Sequence, residues 1–326
     1  MEIREATEED IPAIVAMLKL SLGESLMPKS EQYWRWKHIE NPFGKSPVLL
    51  CWESGLLVGV RAFMRWQWKE REKIYCAVRA VDTATHSEHQ GKGIFKKLTL
   101  ALVEFCKEHQ YHFVFNTPNG QSKPGYLKMG WEEAGRLPIR LAVLRPFNIV
   151  RNLLDEPKPS NIEIDSISYY LNHPGLDALL TAHLSRNSKI TTKISKEYLK
   201  WRYLSVPVAR YLALGEEIGN ELTGLIIGRI KKTRFGNEFR VTDFFSGDNS
   251  SSSWLPKIKK NLQSWGVDYC TDIGIAESGK NNLFSHLSFR VPVGPVVTVR
   301  SLGMQNLGDL KKFNHWSPSL GDLELF

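Results

Sequence analysis

Cysteine is scarce in this sequence, with four residues in 326, and the spacing of Cys51, Cys76, Cys106 and Cys270 is neither paired nor ligand-like. This argues against a disulfide scaffold and against a cysteine-based metal site. No apolar run approaches the roughly 20 residues of a membrane helix, and residues 1–4 begin without the apolar core of a signal peptide. We therefore expect a cytoplasmic protein with no membrane segment and no metal.

A concentrated basic tract is also missing. The formal net charge is +8, but the lysines and arginines are dispersed along the chain, so we expect an anionic small ligand and no nucleic acid. Hydrophobic residues make up 42% and charged residues 24%, which is typical of a globular protein. A length of 326 residues suits two domains, each able to bury its own core.

A glycine-rich turn is the first feature that indicates chemistry. Residues 80–85 predict a strand, and apolar residues at helical spacing follow from Leu98. The turn between them consists of Gln90, Gly91, Lys92 and Gly93. Two glycines let successive backbone N–H groups point into one concavity, the following helix adds its positive end, and Lys97 adds charge, which together favour a phosphate ligand. An ordinary tight turn with solvated lysines is the alternative.

A second motif follows the next predicted strand, residues 112–116. Asn119 precedes Tyr126 by seven positions, and Gly130-Trp131 ends the short predicted helix. The two motifs together resemble the GNAT superfamily of acyl-CoA N-acyltransferases, whose loop pattern is Gln/Arg-x-x-Gly-x-Gly/Ala and whose second pattern combines Asn, Tyr and Gly-Phe at these spacings. One departure is Phe95, which stands where the family has a small residue.

The resemblance implies a mixed α+β fold and direct transfer of an acyl group from acetyl-CoA, or another short-chain acyl-CoA, to an amine, without a covalent enzyme intermediate. It places the pyrophosphate on the backbone from Gln90 to Ile94. It also implies that the strand before the loop splays from its neighbour, so that Thr83, Ala84 and Thr85 pair with the pantetheine amides and Asn119 contributes to the same site.

Three residues are candidates for the proton transfers. An amine arrives protonated, so a base must act before it attacks, and Asp82 and His86 lie on one face if their strand is regular. Tyr126 is the candidate acid for the departing thiolate, because a phenol remains protonated at neutral pH. Tyr126 could instead be a core aromatic residue, and His86 a surface or capping residue.

The second half of the sequence repeats the first. The segment 30–37 has a counterpart at 195–202, an offset of 165 that Pro42 and Pro207, and also Gly59 and Gly224, keep. We therefore predict a tandem GNAT fold with two mixed β-sheets flanked by helices, divided at the proline-containing segment 156–160 into a catalytic domain, 1–155, and a second domain, 161–326.

The second copy lacks the glycine turn and the lysines and carries a serine-rich loop, 246–253, so we expect it to bind no coenzyme but to shape the acceptor site. This arrangement resembles tandem-GNAT sugar N-acyltransferases that act on nucleotide-linked amino-deoxysugars for surface polysaccharides. Trp34 and Arg61 are the predicted acceptor contacts, for a sugar or base and for a diphosphate. A protein or peptide N-acetyltransferase and a non-catalytic acyl-CoA-binding regulator remain open as alternatives.

Overall fold

The computed structural model describes residues 1–23, 27–154, 166–247, 254–273, 288–304 and 308–323. Its strands are β1 (Glu2–Glu5), β2 (Val48–Glu53), β3 (Leu56–Glu70), β4 (Lys73–Thr85), β5 (Phe113–Asn116), β6 (Glu132–Arg136), β7 (Ile139–Val143), β8 (Thr191–Thr192), β9 (Leu212–Ile218), β10 (Glu221–Thr233), β11 (Gly236–Ser246), β12 (Tyr269–Asp272), β13 (Ser288–Val291) and β14 (Val296–Ser301). Its helices are α1 (Ile11–Leu22), α2 (Glu31–His38), α3 (Ile94–Glu108), α4 (Lys123–Lys128), α5 (Pro146–Asn152), α6 (Ser166–Leu171), α7 (Leu176–Ser185), α8 (Lys196–Leu199), α9 (Trp254–Ser264) and α10 (Leu320–Leu323).

The first sheet has the strand order β1-β2-β3-β4-β5-β14-β6, and β8 pairs with the far end of β3. It is mixed, because β4 and β5 run parallel while their other neighbours run antiparallel. Apolar residues of α3, such as Leu98 and Leu102, pack with Val78 and Val114 on one face. Helix α1 packs on the opposite side of the sheet. Alternation of side chains along the strands supplies an apolar surface to both faces.

The second sheet repeats this plan on a smaller scale, with the order β13-β7-β12-β11-β10-β9 and a parallel β11–β12 pair. Ile258 and Leu262 of α9 pack with Phe239 and Cys270 on one of its faces. The predicted fold class, two mixed sheets flanked by helices, is confirmed.

The two sheets exchange a strand. β14, from the C-terminal half, lies between β5 and β6 in the first sheet, and β7, from the N-terminal half, lies between β12 and β13 in the second. The strand predicted at residues 137–144 therefore exists, but it belongs to the sheet of the other half. Each sheet is complete only when both halves of the chain are present.

The predicted repeat appears as a symmetric contact between the halves. Trp36 and Trp201, which are 165 positions apart, stack with ring centroids 4.7 Å apart. Each indole Nε1–H donates to the backbone carbonyl of the other residue at 2.8 Å. Reciprocal bonds of this kind require the two segments to be related by an approximate two-fold axis.

The other matched positions also perform equivalent tasks. Ser30 and Ser195 cap α2 and α8, each accepting a hydrogen bond from the backbone N–H three residues later. At Gly59 a Cβ atom would lie 2.5 Å from Ile94 of α3, and at Gly224 it would lie 2.4 Å from Trp254 of α9. In both halves, therefore, glycine lets a helix lie directly on the sheet.

A large part of the core is shared between the halves. One apolar cluster joins Trp66 and Phe115 of the first sheet to Tyr198, Leu225 and Trp316 of the second half. The predicted linker, 156–160, and positions 248–253 of the serine-rich loop lie outside the described residues, so the division at 155 and 161 stays a prediction. In the described part of the chain, no helix is both long and apolar enough to cross a membrane.

A buried carboxyl group in the second half gives a prediction about pH. Asp243 is 4% exposed and accepts a hydrogen bond from the Tyr203 hydroxyl. Burial, reinforced by the charge of Asp322, raises the pKa of Asp243 to about 7. The folded chain therefore binds more protons than the unfolded chain between about pH 4 and pH 7, and the free energy of unfolding should fall as pH rises through this window.

Replacing Asp243 by Asn should flatten this dependence, because the amide keeps an acceptor for Tyr203 but cannot ionise. Asp177→Asn, at an exposed position of α7, is the matched control. Urea unfolding at several pH values between about 5 and 8 measures the effect. An Asp243→Asn variant whose stability keeps the slope of the unaltered chain would contradict the assignment.

Candidate active site

The glycine-rich turn lies between β4 and α3, where the sequence predicts it. Gln90, Gly91, Lys92 and Gly93 are all exposed, and Gly91 and Gly93 have φ values of +78° and +77°. Gly93 is the N-cap residue of the 15-residue helix α3, whose first N–H groups have no partner within the helix. The loop thus presents backbone donors and a helix N-terminus to solvent, with Lys97 exposed one turn into the helix. These features fit a pyrophosphate.

The predicted splay is present beside this turn. β4 pairs with β3 as far as Thr85, but it pairs with β5 only at residues 77–79, opposite 113–115. Beyond Arg79 the edge of β4 that faced β5 is open, and Thr83, Ala84 and Thr85 belong to this unpaired stretch. Backbone amides on that edge are available to a ligand that binds in an extended conformation.

Asp82 interrupts the regularity of β4. The β3–β4 register shifts so that Thr83 and Val81 are opposite consecutive residues of β3, which leaves Asp82 as the extra residue of a bulge, with φ +32°. Its carboxylate lies 2.6 Å from Lys37 Nζ and 2.8 Å from His38 Nε2. Burial would raise the pKa of Asp82, but Lys37 and His38 outweigh it and hold the pKa well below its usual value.

This geometry corrects the expectation that Asp82 and His86 share one face of a regular strand. The bulge changes the alternation, and a carboxylate of lowered pKa is a weak proton acceptor. His86 caps the short turn at Ser87–His89, accepting from the Glu88 backbone N–H, and its ring contacts His89. It does not line the cavity described below. The structure therefore does not bring the two predicted bases together.

Tyr126, on α4, has a charged partner. It is 4% exposed, and its hydroxyl oxygen accepts a hydrogen bond of 2.6 Å from Arg61 Nη2. A phenol oxygen that accepts from Arg61 keeps its own proton for another acceptor. Phe95, the departure from the family pattern, packs edge-on against Tyr126 with ring centroids 5.7 Å apart, and so helps to hold the tyrosine ring in place.

Asn119 acts on the same helix. Its side-chain oxygen accepts from the backbone N–H groups of Gln121 and Ser122 at 3.1 and 2.9 Å, immediately before α4 begins. Asn119 therefore fixes the loop that sets the position of Tyr126, and it also lines the cavity. The seven-residue spacing between Asn119 and Tyr126 is thus the distance from this turn to the tyrosine on α4.

A cavity of about 1090 Å³ joins the splay to the second sheet. On one side it is lined by residues of β4, the β5–α4 loop and Tyr126. The opposite wall is one face of the second sheet, which is apolar along β7 and β13 and polar along β11 and β12. The wall residues are Ile139, Leu141, Val143, Phe289, Val291, Glu238, Arg240, Tyr269 and Thr271.

The polar part of this wall is organised by Glu238, which is 3% exposed. Arg240 donates to both of its carboxylate oxygens, at 2.9 and 3.0 Å, and Thr271 donates to one of them. A carboxylate with its lone pairs satisfied in this way is held rigidly. The second half thus supplies a fixed polar surface opposite the splayed strands.

The predicted acceptor contacts differ from expectation. Trp34 is 5% exposed, belongs to the core cluster of α1 and packs against the His38 ring, and it does not line the cavity. Trp34 and Trp36 are both buried, because α2 packs against the first half on one side and against Trp201 on the other. Arg61 lines the cavity but is 1% exposed and bonded to Tyr126 and the Val81 carbonyl.

The cavity residues that sequence reasoning missed include Lys37, Arg79 and Asn116. Arg79 donates to the backbone carbonyls of Asp322, at 2.6 Å, and of Leu323, and so ties α10 to the first sheet. Burial, reinforced by the charge of Arg202, lowers the pKa of Arg79 to about 9, which leaves it protonated at neutral pH. Two sequence signals could have indicated these residues. Arg79 is a charged residue inside an apolar strand, and Asn116 is a polar residue at the end of one.

Comparison with known proteins agrees with this geometry. Residues 2–134 match the family model of the acetyltransferase (GNAT) domain. A conserved protein of unknown function from Enterococcus faecalis V583, described as a probable N-acyltransferase, superposes with a TM-score of 0.68 at 12% identity, over 94% of this chain and 74% of that one. A GCN5-related N-acetyltransferase from Anabaena variabilis gives 0.65 at 14% identity, with the same coverage.

A GCN5-related N-acetyltransferase from Kribbella flavida gives a TM-score of 0.60 at 12% identity, over 93% of this chain and 71% of that one. At these identities the likeness concerns the fold. No curated protein matches the chain. Within the described ranges no group of His, Cys, Asp and Glu side chains could hold a metal ion. Residues 2–134, less than half of the chain, therefore match a GNAT acetyltransferase domain, and the full length shares the fold of these N-acyltransferase structures.

Proposed function

We propose that the chain transfers a short acyl group from acyl-CoA to the amine of a small acceptor that enters the cavity between the two sheets. The observation that carries this proposal is the position of the cavity, which has the splayed β4 and Tyr126 on one side and the second sheet on the other. An amine held against the second sheet would face the place where the acyl group arrives.

The acyl donor is proposed to bind along the first sheet. Its pyrophosphate takes the backbone N–H groups from Gln90 to Ile94, with Lys92 and Lys97 adding charge. The pantetheine arm follows the open edge of β4 at Thr83, Ala84 and Thr85. The second half offers no equivalent glycine turn, so we expect one coenzyme per chain.

In the proposed transfer the amine nitrogen forms a bond to the thioester carbon and the carbon–sulfur bond breaks. Tyr126 gives its proton to the departing sulfur. Arg61 supports this step, because a guanidinium that donates to the phenol oxygen stabilises the negative charge left there. Arg61 is thus assigned to Tyr126 and no longer to an acceptor diphosphate. The surplus proton on the nitrogen leaves to solvent, from which Tyr126 regains a proton, and neither Asp82 nor His86 is assigned to this transfer.

Replacing Tyr126 by Phe should lower kcat by roughly 10- to 1000-fold and leave coenzyme affinity unchanged, because only the hydroxyl is lost. Tyr111→Phe is the matched control, since Tyr111 is also buried and bonded to an arginine of β3, Arg65, but does not line the cavity. Steady-state kinetics with calorimetry of coenzyme binding separates the two effects. If Tyr126→Phe keeps full turnover while the chemical step is rate-limiting, Tyr126 has only a structural role in the core.

The charge of the cavity supports an acceptor that carries negative charge besides its amine. In the described part of the chain the charged lining residues are five cations and two carboxylates, Lys37, Arg61, Arg79, Lys231, Arg240, Asp82 and Glu238. The pantetheine arm is neutral, so the positive balance of the lining favours an acceptor that carries negative charge. We therefore propose a nucleotide-linked amino sugar, whose diphosphate supplies this charge.

A panel of acceptors tests the class. It compares a nucleotide-linked amino sugar, the same amino sugar without the nucleotide, a lysine peptide and a polyamine, at low and high salt. The proposal expects the highest kcat/KM for the nucleotide-linked amine, with an advantage over the free sugar that shrinks as salt rises. Preference for the lysine peptide would favour the alternative of a protein N-acetyltransferase. Preference for the polyamine would contradict the proposal of an anionic acceptor.

A further inference from the structure

Asn116 lies where the two splayed strands separate. It is the last residue of β5 and directly follows Phe115, which forms the final β4–β5 pair with Arg79. Its side chain is buried, with 3% exposed, and it lines the cavity. A buried amide at the start of the gap is either paired or available to a ligand.

The exchanged strand holds this amide from the other side. Thr298 of β14 is directly opposite Asn116, is fully buried, and donates its hydroxyl to the Asn116 side-chain oxygen. The Asn116 amide nitrogen makes no hydrogen bond to any residue that the structure describes. Because Thr298 engages the oxygen, the orientation of the amide is fixed, and its N–H donors remain for a bound molecule.

The position of the gap indicates which part of the acyl donor reaches Asn116. β4 runs from the start of the gap at Ala80 to Thr85, about 17 Å of strand, and then enters the phosphate turn. A pyrophosphate on the turn directs the pantetheine arm back along β4, so the acyl end lies toward Asn116. This step rests on the proposed placement of the coenzyme.

We propose that the Asn116 amide nitrogen donates a hydrogen bond to the thioester carbonyl oxygen of the acyl donor, and that Thr298 is the positioning residue that orients it. The carbonyl oxygen gains negative charge as the amine attacks, so a fixed donor stabilises the transition state more than the ground state. Asn116 therefore acts on kcat, and a residue of the second half contributes to catalysis in the first.

Three variants of the full chain test this inference. Asn116→Ala should lower kcat by about 100-fold, the scale for loss of one such donor, and should leave affinity for coenzyme A, which has no acyl carbonyl, unchanged. Thr298→Val removes only the orienting hydroxyl and should lower kcat by about ten-fold. Thr298→Ser keeps the hydroxyl and should retain activity, which separates orientation from packing.

A binding readout independent of turnover uses an unreactive ketone analogue of acyl-CoA, in which the carbonyl is present but cannot be transferred. It should bind the unaltered chain more tightly than coenzyme A does, and Asn116→Ala should lose that advantage. Unchanged kcat in Asn116→Ala, a parallel loss of coenzyme A affinity, or equal behaviour of Thr298→Val and Thr298→Ser would each overturn the inference.

Failure of the coenzyme placement would give a different pattern. In that case Gly93→Asp would keep its affinity for coenzyme A, whatever the Asn116 variants do. If Gly93→Asp loses coenzyme binding and Asn116→Ala remains fully active, the placement stands and only the inference about Asn116 falls. Thermal unfolding of each variant shows which of them retain the fold.

Discussion

Gly93→Asp is expected to abolish measurable coenzyme binding. The substitution places a Cβ at a position with φ +77° and puts a carboxylate among the backbone N–H groups at the start of α3. Both the backbone strain and the repulsion between the carboxylate and a pyrophosphate oppose binding, and together they should cost several kcal/mol. Calorimetric titration with acetyl-CoA measures the loss.

The matched control is Gly219→Asp, in the turn between β9 and β10 of the second half. Gly219 also has a positive φ, +63°, and a Cβ there would meet nothing within 4 Å, as at Gly93. It therefore imposes similar strain and the same charge outside the proposed site. Affinity that survives Gly93→Asp, or falls equally in Gly219→Asp, would remove the coenzyme from the loop.

A chain that ends at Ser160 is expected not to fold. It would lack β14, whose Val297 and Val299 are fully buried, so β5 and β6 would lose the strand that joins them. Trp36 would lose its stacking partner and both reciprocal hydrogen bonds. The loss of a central strand and of shared core exceeds the usual stability of a domain.

A division into two independent domains would instead predict that the first half by itself binds acetyl-CoA. The two halves produced together as separate chains, 1–160 and 161–326, provide the control, because they can still exchange strands. They should associate and recover coenzyme binding. Cooperative thermal unfolding and coenzyme binding by the isolated 1–160 chain would show that β14 is dispensable.

Local features of the site could be predicted from the sequence because their causes are local. The glycine turn requires positive φ values, which Gly91 and Gly93 permit. The seven-residue spacing of Asn119 and Tyr126 corresponds to a residue that holds the turn before α4 and a residue on that helix. The repeat offset of 165 also led to a real contact, since Trp36 and Trp201 occupy equivalent positions. Each prediction depended on neighbours close in sequence or on a copied segment.

Features that depend on distant partners were not predictable. An apolar segment such as 137–144 indicates a strand but does not indicate which sheet it joins. Arg61 was predicted as an acceptor contact because its partner, Tyr126, is on another element. The bulge at Asp82 depends on how β3 and β4 pair. Asn116 acquires its orientation from Thr298, which is 182 positions away.

The exchanged strand also constrains how the chain can fold during synthesis. A protein is synthesised from its N-terminus, so an ordinary first domain can complete its sheet as soon as its own residues have emerged from the ribosome. Here the strand between β5 and β6 is translated only at residues 296–301, after most of the second sheet has been made. Until β14 has been synthesised, the edges of β5 and β6 in the nascent first half are unpaired, and we expect this half to bind chaperones during that time.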